Sequence, residues 1–376
     1  MSKRLVLLGG GHAHVQVLHA LATEPLAGAE VLLITPFARQ MYSGMVPGLV
    51  AGHYTADQCA IPLTPLAAAA GVPLVESMAV ALDTAARVVH LADGRTAEYD
   101  VLSLDTGASM DRDRLPGARE HAMFVRPIEH FVRLLDGLVA LASERVVDVV
   151  VVGGGAAGVE LALALQYRLA GGGEEYARVA LVTGGPEPLD GYPPAVMHHA
   201  AAALAARRVT VFRDTCAELQ PGLLVLGSGA RLACDAPLLA TGAEPPPWLA
   251  ASGLQLDVRG FVCTGPTLQS CSHPEVFAAG DVASRVDAPH PRSGVYAVRA
   301  GPPLLLNLRR YLAGGALQPY QPQQKTLNLI SCGERRAIMA WGDWAAQGRW
   351  AWWWKDRIDR QFVARYTRLE GLSRGN

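Results

Sequence analysis

Several features that would assign a protein to a special class are missing from this chain of 376 residues. No run of about eighteen uncharged apolar residues occurs, which argues against a transmembrane helix. The apolar run at residues 5–8 ends in three glycines and is too short for the core of a secretory signal peptide. The formal net charge is -1, so no overall field attracts nucleic acid or an anionic membrane. We therefore expect a cytoplasmic protein that has no nucleic-acid partner and meets any charged partner locally.

Cysteine is scarce, and its spacing is uninformative. The six cysteines form no C-x-x-C pair and none of the spacings typical of metal ligands, so we predict no metal site. Buried free thiols are the interpretation we favour, and a redox disulfide between residues distant in the sequence stays open as the alternative. The cysteines are Cys59, Cys216, Cys234, Cys263, Cys271 and Cys332.

The clearest positive pattern lies in the middle of the chain. A valine run at residues 149–152 stops at three consecutive glycines, and an alanine- and leucine-rich stretch follows at helical spacing, which predicts strand, tight turn and helix. Gly153 suits the turn, Gly155 lets the backbone approach a pyrophosphate, and Gly158 lets helix and strand pack closely. Because the amino end of a helix attracts phosphate, this stretch predicts a dinucleotide site.

The same arrangement recurs near the amino terminus, where an apolar strand leads to Gly9 and Gly11. His14 stands in the position of the third glycine, and an imidazole does not allow the same close contact between helix and strand. We expect His12 and His14 to line the turn or to pack, rather than to bind a metal. Two such turns imply two nucleotides.

An acidic residue normally ends the second strand of such a unit and holds the ribose hydroxyls. Thr35 stands there in the first unit and Thr183 in the second. A threonine makes only part of that interaction. Neither an acidic residue nor an arginine is present to choose between NADH and NADPH, so that choice stays open.

The two units also end alike. Residues 88–91, a turn at Asp93-Gly94 and residues 99–104 predict a β-hairpin whose return strand leads to Thr106-Gly107 in the first unit. Another strand leads to Thr241-Gly242 in the second unit. This repeat predicts an α/β protein with two Rossmann-like three-layer dinucleotide-binding domains, the second inserted in the first, and a small α+β C-terminal domain. The expected boundaries are 1–112 and 244–322 for the first domain, 113–243 for the second and 323–376 for the third.

After the inserted unit, an apolar strand delivers Gly280-Asp281 at its tip. A carboxylate there can accept hydrogen bonds from a sugar-like polyol, and the glycine leaves room for the ligand. A helix then opens near Ser293, and its amino-terminal dipole can face a developing negative charge.

Tryptophans cluster near the carboxyl terminus. Residues 350–354 contain four of them, and Ile358, Phe362 and Tyr366 then share one helical stripe. This pattern suits a helix that lies on a membrane surface. A structural lid or a dimer face is the alternative. We weigh it slightly higher because two aspartates reduce the net positive charge of this helix. Residues 350–366 are thus a predicted membrane or protein contact, and the membrane alternative would hold the protein at the inner face of the membrane.

With these motifs in place, the chain resembles the two-dinucleotide flavoprotein superfamily of pyridine nucleotide-disulfide oxidoreductases over nearly its whole length. Residues 9–15, 42–54 and 354–360 resemble the NADH dehydrogenase-like flavoprotein often fused to selenide, water dikinase, which implies a link to selenium metabolism. Type II NADH dehydrogenases and sulfide:quinone oxidoreductases are the nearest functional relatives of that group.

The resemblance implies FAD in the first unit and NADH or NADPH in the second. It implies that Glu160 lies near the nicotinamide and the flavin as a catalytic residue, with a buried, hydrogen-bonded helix residue as the alternative. The cofactor-binding residues expected in the first unit and its flanking segments are Gly9, Gly11, His12, Ala13, Thr35, Ser43, Gly44, Thr106, Gly107, Gly280, Asp281, Ser293, Gly294 and Val295. Those expected in the second unit are Gly153, Gly155, Ala156, Ala157, Gly158, Thr183 and Gly242.

The implied function is hydride transfer from a nicotinamide to FAD, followed by transfer of electrons to a small-molecule acceptor such as a quinone. Disulfide members of the superfamily carry cysteines where this chain has Ser43 and Gly44, so a dithiol relay is disfavoured. One alternative is FAD-dependent oxidation of a reduced sulfur or selenium compound, for which Cys332 is the candidate thiol. Another is a flavin-binding interaction or sensor protein that docks through its tryptophan-rich end.

Overall fold

Two parallel sheets, alike in the order of four strands and different in the origin of the edge strand, form the core of the computed structural model, which describes residues 2–170 and 177–368. The first part of the chain contains strands β1 Lys3–Leu8, β2 Ala29–Thr35, β3 Arg39–Met41, β4 Ala60–Pro62, β5 Leu74–Glu76, β6 Ala79–Asp83, β7 Val88–Leu91, β8 Thr96–Glu98 and β9 Val101–Leu104, with helices α1 His12–Thr23, α2 Val46–Val50 and α3 Leu63–Ala69.

The middle part contains strands β10 Met123–Phe124, β11 Val147–Val152, β12 Ala177–Thr183, β13 Thr210–Arg213, β14 Cys216–Gln220, β15 Leu223–Leu226, β16 Arg231–Ala233 and β17 Ala236–Leu239, with helices α4 Ala118–His121, α5 Ile128–Glu144, α6 Ala156–Leu169 and α7 Pro194–Ala206. The last part contains β18 Val262–Thr264, β19 Val276–Ala278, β20 Ala283–Arg285, β21 Leu327–Ser331, β22 Ala337–Trp341 and β23 Trp344–Gly348, with helices α8 Gly294–Leu312 and α9 Arg349–Thr367.

The first sheet has the order β19-β9-β1-β2-β5, and the second has the order β10-β17-β11-β12-β13. In each sheet a glycine turn follows the central strand, β1 or β11, and a helix returns the chain to the neighbouring parallel strand. The last four residues of each central strand, 5–8 in β1 and 149–152 in β11, form a continuous apolar run because parallel strands are covered on both faces. Nucleotide sites in such sheets lie at the carboxyl ends of the strands, where the order reverses.

The predicted Rossmann-like α/β fold is confirmed. One pairing was wrong. We expected residues 99–104 to return against residues 88–91 as a hairpin, but β7 pairs with β8 and β9 lies in the first parallel sheet. All four residues of β9 are buried, as a strand covered on both faces requires.

The carboxyl-terminal part is an antiparallel sheet, β21-β22-β23, followed by α9. No helix among the described residues combines the length and apolar character that a membrane span requires. The domain boundaries at 112–113, 243–244 and 322–323 stay a proposal, and Met1, residues 171–176 and residues 369–376 of the proposed domains lie outside the described residues.

Candidate active site

The first glycine turn is built around the end of β9. Gly9 has a φ of 98°, which favours glycine, and a Cβ there would overlap the backbone of Asp105. The amide of Gly11 donates to the carbonyl of Asp105 at 3.1 Å. The turn therefore lies directly against the strand end that leads to Thr106 and Gly107.

The Asp105 side chain caps α1 from outside the helix. Its Oδ2 accepts hydrogen bonds from the amides of Ala13 at 2.8 Å and His14 at 2.9 Å. Burial raises the pKa of Asp105 to about 7, even though these two amides favour the charged form. The amide of Ala13 is thus engaged by Asp105, and the role of Ala13 in binding a cofactor stays a prediction.

His14 takes the place of the third glycine by a different arrangement. Its side chain is fully buried, with Nδ1 2.6 Å from the carbonyl of Gly9 and Nε2 2.8 Å from Oγ of Ser103. Burial lowers the pKa of His14 to about 4, so the imidazole is neutral at physiological pH. Both ring nitrogens are engaged, and His14 ties the glycine turn to β9.

His12 differs because one of its ring nitrogens has no partner. Nδ1 lies 3.0 Å from Nε2 of Gln40, while Nε2 of His12 and Oε1 of Gln40 are buried without a hydrogen-bond partner among the described residues. The ring also contacts Tyr42 at a centroid distance of 5.4 Å. Buried polar atoms are normally satisfied, so this pair identifies a place where a ligand atom belongs.

Asp281 lies at the tip of β19, next to Gly280, whose φ of 69° favours glycine. Its Oδ2 forms an ion pair of 3.0 Å with Nη1 of Arg126. Arg126 follows β10, so the second sheet contributes a cation to the site of the first. Sequence reasoning missed Arg126 because nothing in its local pattern marks it.

Other predicted residues of the first unit meet at the opening of α8. A Cβ on Gly294 would lie 3.5 Å from Oγ of Ser43, so these two segments are neighbours. Ser293 ends the approach to α8, and its carbonyl accepts from the amide of Tyr296 at 3.1 Å. Val295 lies in the first turn of that helix.

The second glycine turn is more open than the first. Gly153 has a φ of 132°, and a Cβ on Gly158 would overlap the carbonyl of Gly153, so both positions require glycine. A Cβ on Gly155 would meet nothing within 4 Å. Among the described residues, no side chain binds the first-turn amides of α6, which include those of Ala156 and Ala157. These donors are available to a ligand, as are the surroundings of Gly242, where a Cβ also meets nothing.

The two threonines that replace the expected acidic residues have the same position in each unit. Thr35 and Thr183 are 3% and 2% exposed. A Cβ on Gly10 would lie 3.2 Å from Oγ1 of Thr35, and one on Gly154 would overlap Oγ1 of Thr183. Each threonine therefore packs against the middle glycine of its turn.

Glu160 lies on α6 and contacts the carboxyl-terminal part of the chain. Its Oε1 accepts a hydrogen bond of 2.7 Å from the amide of Ser331. Burial raises the pKa of Glu160 to about 7, and the charge of Lys355 opposes that rise. Lys355 lies on α9, where its Nζ donates to the carbonyl of Gly44 at 2.6 Å and to Asp359 at 2.7 Å. Lys355 thus binds the Gly44 loop of the first unit, and its charge acts on Glu160 of the second.

The aromatic stripe of α9 faces inward. Phe362 stacks on Tyr42 at a centroid distance of 4.5 Å, and Tyr366 is 2% exposed. In contrast, Trp353 is 62% exposed. These two side chains of α9 pack on the first unit, in line with the lid interpretation, whereas Ile358 of the same predicted stripe is 38% exposed, and contact with a membrane stays a prediction.

A model of the pyridine nucleotide-disulphide oxidoreductase family matches residues 3–301. The chain belongs to this family. An NADH dehydrogenase-like protein of Mycobacterium tuberculosis is 31% identical over 250 residues, covering 63% of this chain and 62% of that protein. The match thus spans less than two thirds of that relative. A demethylphylloquinone reductase of Synechocystis is 26% identical over 298 residues, covering 76% of this chain and 73% of that one.

Two solved structures of this family's fold are similar over almost the whole chain. The sulfide:quinone oxidoreductase of Aquifex aeolicus has a TM-score of 0.82 at 19% identity, covering 97% of this chain and 92% of that one. NDH2 of Plasmodium falciparum in complex with NADH has a TM-score of 0.75 at 12% identity, covering 100% and 99%. At these identities the likeness is one of fold.

Proposed function

We propose that the chain is an FAD-dependent NAD(P)H:acceptor oxidoreductase that passes a hydride from a nicotinamide to FAD and then electrons to a second acceptor, a quinone. The observation that carries this proposal is the position of Glu160. It lies on the helix that follows the second glycine turn, and the charge of Lys355, whose Nζ binds the carbonyl of Gly44 in the first unit, acts on it. The names of two relatives, an NADH dehydrogenase-like protein and a demethylphylloquinone reductase, support the donor and the acceptor.

The residues of the first unit fit FAD. The unpartnered atoms of His12 and Gln40 call for a polar ligand atom, and the carboxylate of Asp281 can accept from ribityl hydroxyls. Gly107 has open space in front of it. Burial raises the pKa of Asp105 to about 7, so a fraction of this carboxyl is neutral near pH 7, which reduces its repulsion of a diphosphate at the amino end of α1.

The second unit suits a nicotinamide dinucleotide. The open approach at Gly155 and the unused amides at the start of α6 provide donors for a pyrophosphate. Thr183 packs against the turn and supplies no carboxylate for a ribose, so NADH and NADPH both stay in the proposal.

FAD, when bound, supplies the ring that accepts the hydride. The chain supplies proton handling and orientation. The amide of Ser331 fixes Oε1 of Glu160, and a pKa of about 7 lets this carboxyl hold or release a proton near neutral pH. Lys355 favours the ionised form of Glu160 and holds the Gly44 loop against α9.

The proposal is tested by anaerobic titration of the purified, FAD-loaded protein with NADH and NADPH, followed by the flavin absorbance. Bleaching by either nucleotide is expected. An oxidised flavin that persists with both nucleotides would remove the proposed function.

Oxidation of a reduced sulfur or selenium compound is the second candidate, in line with the name of the Aquifex aeolicus structure and with the resemblance to a selenium-linked group. Cys332 is poorly suited to attack such a substrate, because it is 2% exposed and burial raises the pKa of its thiol to about 12. Sulfide and selenide belong in the same titration. Flavin reduction by either one, lost in Cys332→Ser, would favour this candidate.

We further propose that the carboxyl-terminal part docks on the inner membrane face. Five tryptophans of this part are between 43% and 78% exposed, and such side chains favour the headgroup region of a bilayer. They are Trp341, Trp344, Trp350, Trp353 and Trp354. The protein should sediment together with anionic vesicles, and the double variant Trp353→Ser, Trp354→Ser should stay in the supernatant. Vesicle binding that these substitutions do not change would contradict membrane docking through these tryptophans. It would favour a protein as their partner, as in the interaction or sensor alternative.

A further inference from the structure

Two of the six cysteines lie directly opposite each other on neighbouring strands. Thr264 and Ser270 form an antiparallel bridge, and the amide of Cys271 donates to the carbonyl of Cys263 at 3.0 Å. The next hydrogen bond of this short ladder runs from Gly265 to Gln269 at 2.9 Å. In this register Cys263 faces Cys271, and side chains directly opposite each other project from the same face of an antiparallel pair.

The spacing suits a covalent link. Residues directly opposite in antiparallel strands have Cα atoms about 4.5 to 5.5 Å apart. Disulfides usually join residues whose Cα atoms are about 4.4 to 6.8 Å apart. The register therefore places Cys263 and Cys271 where the usual Cα spacing of opposed residues falls within the range that a disulfide spans.

The two thiols also differ in access. Cys271 is exposed, whereas Cys263 is 4% exposed within β18. An exposed thiol can meet a reagent from solution, and a buried thiol opposite it can then complete the reaction within the protein. We propose that Cys263 and Cys271 are an oxidisable pair that closes a cross-strand disulfide, with a low-molecular-weight disulfide as the oxidant.

The exchange balances in two steps. The thiolate of Cys271 attacks one sulfur of the small disulfide, forms a mixed disulfide and releases one small thiolate. The thiolate of Cys263 attacks Sγ of Cys271 and releases the second small thiolate. The protein loses two electrons, the oxidant gains them, and the two protons end on the two released thiols.

Burial and nearby charges slow this exchange at neutral pH, because both raise the pKa of the two thiols. Burial, Cys271 and Asp257 raise the pKa of the Cys263 thiol, while burial and Asp287 raise that of Cys271. Only a small thiolate fraction is present at neutral pH, so the exchange is slow there and faster in mildly alkaline solution.

The disulfide would stabilise β19, the strand that leads to Asp281. Leu268 lies in the loop between the two cysteines, is 2% exposed, and accepts at its carbonyl from the amide of Ala278 at 3.0 Å. Ala278 ends β19, two residues before Gly280. A disulfide that closes this loop restricts the unfolded chain and should raise the thermal midpoint.

The test uses the purified full chain incubated with glutathione disulfide at mildly alkaline pH, followed by intact mass, a thiol count and peptide mapping. Wild type should lose two thiols, keep no glutathionyl group and yield a peptide that joins Cys263 to Cys271. Cys263→Ser should retain one glutathionyl group on Cys271, and Cys271→Ser should gain neither modification at this hairpin. Cys216→Ser, at a half-buried cysteine elsewhere, is the matched control and should behave as wild type.

Three results would overturn the proposal: a stable glutathionyl group on Cys271 of the wild type, a disulfide that joins other cysteines instead, or no loss of thiols at all. Each can be read from the wild-type mass and peptide map, so the test does not depend on the folding of any variant.

Discussion

Asp105 and Ala240 occupy equivalent positions at the ends of β9 and β17, yet only Asp105 caps a helix. The register makes them equivalent, since Leu104 pairs with Leu8 and Leu239 pairs with Val152. The Asp105 carboxylate accepts hydrogen bonds from two first-turn amides of α1. Among the described residues, no side chain accepts from the first-turn amides of α6. The duplicated units thus differ where each would meet a pyrophosphate.

The cap should contribute to stability. Asp105→Ala removes the acceptor of two buried amides and should lower the free energy of unfolding by about 1–3 kcal/mol. Asp105→Asn keeps a side-chain oxygen and should cost less. Urea unfolding of the two variants and wild type measures this, and equal losses for alanine and asparagine would contradict the role of the acceptor.

Asp105 should also make stability depend on pH. Its pKa is raised in the folded chain from 3.8 to about 7, so its protonated form favours folding. This contribution is fully present below about pH 4 and is lost as pH rises through about 7. The difference in unfolding free energy between wild type and Asp105→Asn should therefore change across this window, with wild type losing more. A constant difference would show that Asp105 does not titrate there.

The second glycine turn provides a matched pair of substitutions. A Cβ on Gly158 overlaps the carbonyl of Gly153, so Gly158→Ala should destabilise the fold by about 1–3 kcal/mol. Gly155→Ala meets no protein atom and should cost less than about 1 kcal/mol, but its methyl group occupies the approach to the amides of α6. Calorimetric titration should show weaker NADH binding by Gly155→Ala at nearly unchanged thermal stability. Full affinity in that variant would place the pyrophosphate elsewhere.

The fold was predictable because its signals are local. Valines at residues 149–152 followed by three glycines determine strand and turn in any surroundings, and the same holds for residues 5–11. Because this strand-and-glycine pattern occurs twice, the sequence also predicted that the second unit repeats the first. The pairing of residues 99–104 was misjudged because a turn at Asp93-Gly94 marks a hairpin without telling which later strand belongs to it.

The site was less predictable because its remaining groups meet through tertiary contacts. Arg126 reaches Asp281 from the other sheet, and Lys355 reaches Gly44 across about three hundred residues of chain. Asp105 had a signal in the sequence: the two Thr-Gly strand ends differ there, with aspartate in one and alanine in the other. That comparison would have identified it.

The tryptophans near the carboxyl terminus divide into buried and exposed members. Trp352 is 8% exposed, and Trp352→Ala should cost about 3–5 kcal/mol of unfolding free energy. Trp353, at 62% exposed, should change stability by less than about 0.5 kcal/mol when replaced by alanine. Thermal unfolding of the two variants checks the orientation of α9, and a large loss for Trp353→Ala would mean that it is covered.

The pKa of Glu160 gives the sharpest test of its role. Because the value is about 7, the rate of flavin reduction by the nicotinamide should change with pH around neutrality. In Glu160→Gln this pH-dependent change of the rate should vanish, and the rate itself should be lower by roughly 10²-fold. Lys355 lowers the pKa of Glu160, so Lys355→Met should move this change to higher pH. Stopped-flow reduction over a pH series measures both, with FAD content checked by absorbance. An unchanged profile in Glu160→Gln with full FAD content would make Glu160 a structural helix residue, since its bond to Ser331 alone predicts no effect on the pH dependence of the rate.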